Sequence, residues 1–278
     1  MRDHPQTGVF MPPEPDQPTD PFAHAQALDL ADAPRLVREA LAERRTELAY
    51  QPVIVTRTGD IAFHEGLIRL RDHAGRRLPA RHFLPGVEDT ALGRELDRAS
   101  LREGLEALRR NPALRLSINM SARSIGDGRW RRALEDGLAR GPGIGERLIL
   151  EISETSAMTL PEVVCRFMAE MRPRGVGFAL DEFGAGQTAF RYLRDFLFDL
   201  VKIDAHFVRG IDEDPDNQVL CGALVAVARQ FGMAHVACGI ETEAEAKTLA
   251  GLGVNCLQGY LWGRPARAPG PAARMPLP

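Results

Sequence analysis

The chain has 278 residues with 35 basic against 38 acidic side chains, a formal charge of −3 that excludes a broadly basic nucleic-acid-binding surface. A hydrophobic content of 44% excludes a fibre or wholesale disorder. No apolar run approaches the roughly 20 residues that cross a bilayer, and no signal-peptide core follows Arg2 and Asp3, so the expectation is no membrane segment and a cytoplasmic setting. The four cysteines, Cys165, Cys221, Cys238 and Cys256, show no C-x-x-C spacing, which predicts reduced thiols rather than a disulfide framework or a zinc site. Positive charge is written almost entirely as arginine. The two lysines, Lys202 and Lys247, therefore mark positions where a compact ammonium is a candidate requirement.

Residues 1–33 carry six prolines among polar residues and read as a flexible leader; residues 269–278 read as a flexible tail. Between them, 34–268 is the size of one barrel domain. Eight short apolar runs recur there: 48–54, 61–70, 115–120, 148–152, 176–180, 200–203, 235–238 and 256–259. Segments with three- and four-residue apolar spacing lie between most of them, at 92–110, 129–140, 161–172, 188–196, 216–231 and 243–252. Eight strands alternating with helices predict an α/β fold, a (β/α)8 TIM-type barrel. The first two runs are joined by a short turn at Thr58-Gly59-Asp60, too short for a crossover, so the barrel is expected to be irregular, with one antiparallel strand near its start.

In such a barrel the chemistry sits at the strands' C-terminal ends. The polar residues there are Gln51, Glu65, Asn119, Glu151, Asp181 with Glu182, Lys202, Cys238 with Glu241, and Gln258. Taken singly, each has an ordinary structural explanation as a salt-bridged carboxylate, a turn residue or a snorkelling lysine. In phase with eight strands they form a set, and acids embedded in apolar runs need a cation. Oxygen ligands suit a hard ion, Mg²⁺ or Mn²⁺. His64 alternates with Glu65 along its strand, points to the other face and is read as structural.

The segments FHEGLIRL (63–70), LSINMSARS (116–124), LILEISETSAM (148–158), ALDEFGAGQTAFRYL (179–193), FDLVKIDAHFVRGI (198–211), HVACGIETEAEA (235–246) and LQGYLWGRP (257–265) resemble, in order and spacing, the motifs of the bacterial EAL domain. YQPVI (50–54) is similar to that family's opening strand. The resemblance implies an irregular (β/α)8 barrel that binds cyclic di-GMP and, in active members, hydrolyses it to linear pGpG with Mg²⁺ or Mn²⁺. It implies metal ligands at Glu65, Asn119, Glu151 and Asp181, with Glu182 where the family has a second Asp. It further implies catalytic roles for Lys202, Glu241 and Glu154, and ligand contacts at Gln51, Arg69 and Gln258.

Three positions depart from the family pattern. The naming triplet reads Glu65-Gly66-Leu67, the paired aspartates read Asp181-Glu182, and a glutamate of the second-metal side is replaced by Cys238. Because both of the latter changes fall on the second metal, the leading expectation is a cyclic di-GMP-binding signalling protein with weak or lost phosphodiesterase activity. The alternatives are an active phosphodiesterase and a protein-binding regulatory scaffold without nucleotide. A homodimer or a regulatory protein partner stays open, with no nucleic-acid polymer and no membrane as partners.

Overall fold

The structure is a computed structural model, described for residues 32–186 and 193–270. Its strands are β1 (Thr46–Val55), β2 (Ile61–Arg71), β3 (Arg77–Pro79), β4 (Leu116–Asn119), β5 (Leu148–Ser153), β6 (Gly177–Phe183), β7 (Leu200–Ile203), β8 (Ala234–Cys238) and β9 (Cys256–Gln258). The sheet order is β1-β9-β8-β7-β6-β5-β4-β2-β3, and a further β1–β2 pairing closes eight of these strands into a barrel. From β2 through β4 to β9 the neighbours run parallel, whereas β1 is antiparallel to both β2 and β9. The predicted barrel and its antiparallel first strand are thus present. The short β3 extends the sheet beyond β2.

Outside the barrel lie α1 (Ala33–Ala42), α2 (Ala91–Arg110), α3 (Gly128–Ala139), α4 (Glu154–Thr159), α5 (Pro161–Met171), α6 (Pro215–Gln230) and α7 (Glu243–Gly251). Their starts carry recognisable signals. Thr90 accepts a hydrogen bond from the Leu92 N–H at the head of α2, Asp127 from those of Arg129 and Trp130 at α3, and Thr242 and Glu245 form a reciprocal capping box at α7. In α1, Pro34 fits the first turn, where no N–H partner is needed, and Ala33, Leu36, Val37 and Ala40 bury one stripe against Leu70, Phe83, Val87 and Leu96. The expected leader at 1–33 and tail at 269–278 lie largely outside the described residues, as does most of the helix expected over 188–196.

Strand alternation sorts the barrel interior into two layers. Val53, Phe63, Ile149, Ala179, Leu200 and Val236 pack together as an apolar floor. Two residues further along each of those strands, toward one mouth, stand Gln51, Glu65, Glu151, Asp181, Lys202 and Cys238. Asn119 is paired with Glu151, and Gln258 with Cys238, which completes the upper ring. On the outer faces, one cluster runs from α2 and α3 to Phe167 and Phe178, and a second joins β7–β9 to α6 and α7. No described helix is long and apolar enough to cross a membrane.

Candidate functional site

Lys202 is the hub of the upper ring. Its Nζ donates to Glu65 Oε2 at 2.9 Å and Glu151 Oε2 at 2.6 Å, and lies 3.5 Å from Asp181 Oδ1. Only 3% of its side chain is exposed. Burial alone would drive a lysine toward the neutral form, but Asp181, Glu151 and Glu65 together hold its pKa well above the ordinary value. Glu65 is surrounded by donors: Asn119 Nδ2 at 2.8 Å to Oε1, and Gln258 Nε2 at 2.6 Å and Lys202 to Oε2. Burial opposes its charge, and the Lys202 ammonium with these hydrogen bonds overcomes that, so its pKa falls below the usual value. Glu151 goes the other way, to about 8, through burial first and then the charges of Glu65 and Asp181, with Lys202 opposing. Asp181 is raised by burial and by Glu65. Three carboxylates around one ammonium leave the ring with an excess of negative charge.

That excess bears on metal binding. One carboxylate oxygen from each of Glu65, Glu151 and Asp181 lies within 4.8 Å of the others, a spacing that could hold a metal ion. Glu151 Oε1 is buried and has no hydrogen-bond partner, so a ligand position is free inside the ring. The residues therefore fit a divalent cation.

The remaining predicted positions fall in three places. Gln51 and Gln258 belong to the ring, with Gln258 Nε2 3.4 Å from Gln51 Oε1 and Gln51 donating to the Gly263 carbonyl at 3.2 Å. Cys238 also faces inward, its Sγ 3.5 Å from Gln258 Oε1. Burial, then the acids around it, push its thiol well above the ordinary pKa despite Lys202, so it stays neutral. Arg69 lies further along β2, half-buried beside Arg81. Glu154 is buried below the loop after β6: its Oε2 accepts the Gly184 N–H at 2.9 Å and its Oε1 has no partner.

Glu182 and Glu241 are both exposed and lie outside the buried ring. Glu182 sits at an irregularity in the β6–β7 pairing with φ of 56°, a left-handed conformation that suits Asp or Asn better than Glu. Its pKa is raised by partial burial and by Asp181, Asp204 and Glu88. Glu241 contributes its backbone N–H to Glu245 Oε2 at 2.9 Å. His64, as expected, is clear of the ring and pairs its Nε2 with the Gly270 carbonyl at 3.2 Å.

Two supporting acids were not among the candidates. Glu245 receives backbone N–H groups from Gly210, Glu241 and Thr242 and so ties the loops after β7 and β8 together. Its signal in the sequence is the Thr242-x-x-Glu245 capping box. Asp97 on α2 accepts the Ser121 N–H at 2.8 Å and the Ser124 hydroxyl at 2.6 Å, anchoring the loop that follows Asn119. An added Cβ at Gly259 would lie 1.9 Å from the Ile240 carbonyl oxygen, so the loop after β8 closes against the end of β9, next to Gln258, only because that position is glycine.

The profile of the EAL domain family matches residues 35–265. The chain belongs to this family. Its EAL barrel is 30% identical over 237 residues to the bifunctional diguanylate cyclase/cyclic di-GMP phosphodiesterase MucR of Pseudomonas aeruginosa, covering 84% of this chain and 35% of that protein. It is 28% identical over 233 residues to the cyclic di-GMP phosphodiesterase PdeF of Escherichia coli, covering 82% and 31%. The chain thus spans about a third of the length of these curated relatives. Among solved structures, the MucR phosphodiesterase in complex with c-di-GMP superposes with a TM-score of 0.75 at 29% identity, covering 85% of this chain and 98% of that one. The Pseudomonas aeruginosa FimX EAL domain bound to c-di-GMP gives 0.77 at 25% identity, covering 85% and 97%.

Proposed function

We propose that this EAL barrel binds cyclic di-GMP as a signalling domain and turns it over weakly or not at all. The observation that carries the reading is Cys238. In the ring around Lys202 it offers a neutral thiol where a second metal needs an anionic oxygen, and Glu182 is exposed outside that ring. The intact side comprises Glu65, Asn119, Glu151 and Asp181, whose oxygen chemistry suits Mg²⁺ or Mn²⁺. A bound divalent ion there would polarise a phosphate oxygen and lower the pKa of water.

The chain's own groups supply the rest of the recognition. Lys202 holds the three acids in place with its ammonium, while Gln51 and Gln258 offer amide groups at the same level. Arg69 and Arg81 supply positive charge further along the wall, suited to phosphodiester oxygens. Glu154 acts through the Gly184 loop that it anchors, and Glu241 lies in the loop that Glu245 holds. Free cysteines throughout agree with a reduced, cytoplasmic setting, with a homodimer or a regulatory protein as the partner that reads ligand occupancy.

The test is calorimetric titration with cyclic di-GMP in the presence of Mg²⁺ or Mn²⁺, followed by chromatography for pGpG. Binding at micromolar concentrations without accumulation of pGpG is expected. Robust turnover would show an active phosphodiesterase, and lack of binding would favour the scaffold reading. The double change Glu182→Asp with Cys238→Glu should raise turnover by at least tenfold if only the second-metal side has been lost, since each 1.36 kcal/mol of transition-state stabilisation is about a factor of ten.

A further inference from the structure

On the outside of the barrel, away from the Lys202 ring, helices α1, α2 and α3 border a groove of about 930 Å³. Small side chains form its base. Ala99, Ala133 and Gly137 lie along it, and a Cβ on Gly137 would meet Leu105 Cδ1 at 2.3 Å, so Leu105 packs directly against the α3 backbone there. The walls are arginine. Arg38 comes from α1, Arg98 and Arg102 from α2, Arg129 and Arg132 from α3, and Arg140 from just beyond it. Among the described residues none of these six guanidinium groups makes a hydrogen bond or an ion pair. In all, eight arginines line the groove against four acids, of which Glu106 is already engaged by Arg109 and Arg110.

Unpaired forks crowded on one face of a chain whose net charge is −3 call for an anionic occupant. The interspersed Glu95, Glu103 and Asp136 disfavour a continuous phosphate backbone, and no aromatic side chain lines the groove to stack a base. A peptide of mixed composition suits it better. Such a peptide is attached beside it. Residues 1–31 hold five acids, Asp3, Glu14, Asp16, Asp20 and Asp29, against Arg2, and run directly into α1, whose Arg38 and Leu41 form part of the groove.

We propose that the acidic segment of residues 1–31 seats in this arginine groove of its own barrel. Its acids fall before, among and after its six prolines, so its charge can be spread along several of the groove's arginines. The twelve steps from Asp20 to Asp32 allow a reach of at most about 40 Å, enough to bring the Glu14–Asp20 stretch to the groove beside α1. Tethering supplies an effective concentration on the order of millimolar, so modest pairwise attractions suffice.

The test places p-benzoylphenylalanine at position 132 of the full chain and maps its photo-cross-links by mass spectrometry. Position 219 on α6, across the barrel and 72% exposed, serves as the control. Position 132 should capture residues within 1–31 of the same chain, and position 219 should not. The yield should fall about tenfold in the triple variant Glu14→Gln, Asp16→Asn, Asp20→Asn, and also in about 0.5 M salt, because these attractions are screened charge pairs. Equal capture at both positions, an unchanged yield in the triple variant, cross-links only between chains, or capture of co-purified nucleic acid at position 132 would each overturn the proposal.

Discussion

Lys202 is outnumbered by Glu65, Glu151 and Asp181, and this imbalance makes it necessary to the fold as well as to the site. Removing one partner from a buried ionic group leaves uncompensated charge, which costs more than the pair itself contributes. Lys202→Met should therefore lower unfolding free energy by about 3–5 kcal/mol, measured by urea denaturation. Added Mn²⁺ should recover part of this loss, and should stabilise the variant more than the parent, because a divalent cation can take over the neutralising role. An unchanged denaturation midpoint in the variant would show that the ammonium is not the compensating charge. An arginine could not substitute freely here, since its planar fork cannot address three carboxylates converging from separate strands as a rotatable ammonium does.

At the scale of elements, the loop after β4 hangs on α2 through Asp97. Burial lifts the Asp97 pKa to about 6, while its hydrogen bonds from Ser124 and Ser121 act in the opposite sense. A carboxyl whose folded pKa is raised stabilises the fold fully below its unfolded value near 4, and that contribution disappears as pH rises through 6. Asp97→Asn keeps an acceptor oxygen without the charge. The variant's stability relative to the parent should therefore improve by up to about 3 kcal/mol between pH 4 and 7, followed by chemical denaturation across that range. A parallel pH dependence in both proteins would refute the assignment. The same element shows where sequence reasoning stopped. The barrel strands were legible because alternate residues serve an interior whose two layers differ in polarity, and the hairpin because the five residues between β1 and β2 cannot make a crossover. Asp97 was not, because within the charged pattern of α2 it looks like any solvent-facing acid until the β4 loop folds over it. The helix α1 begins at the edge of a proline-rich stretch that masks its start, and α4 is too short to display a helical period. Lys202, Glu65, Asn119, Glu151 and Asp181 could be singled out from their phase with the strands. The exposed, left-handed placement of Glu182 depends on an irregular pairing between β6 and β7 that no local pattern encodes.

For the whole molecule, ligand binding is linked to stability. Cyclic di-GMP at about a hundredfold over its dissociation constant should stabilise the folded chain by about 2.7 kcal/mol, or a melting shift of roughly 5–10 °C for a domain of this size. Arg69→Ala should reduce the shift at a fixed ligand concentration and leave the unliganded melting temperature nearly unchanged, since the Arg69 guanidinium donates only to its neighbouring Ile68 carbonyl. Scanning calorimetry with and without ligand separates the two effects, and an undiminished shift would remove Arg69 from the binding site. The stacked interior has one more consequence. Val53, Phe63, Ile149, Ala179, Leu200 and Val236 fill the barrel interior below the charged ring with packed apolar side chains. A divalent ion held by Glu65, Glu151 and Asp181 would therefore have to arrive from the ring side, past Lys202, and not through the apolar floor.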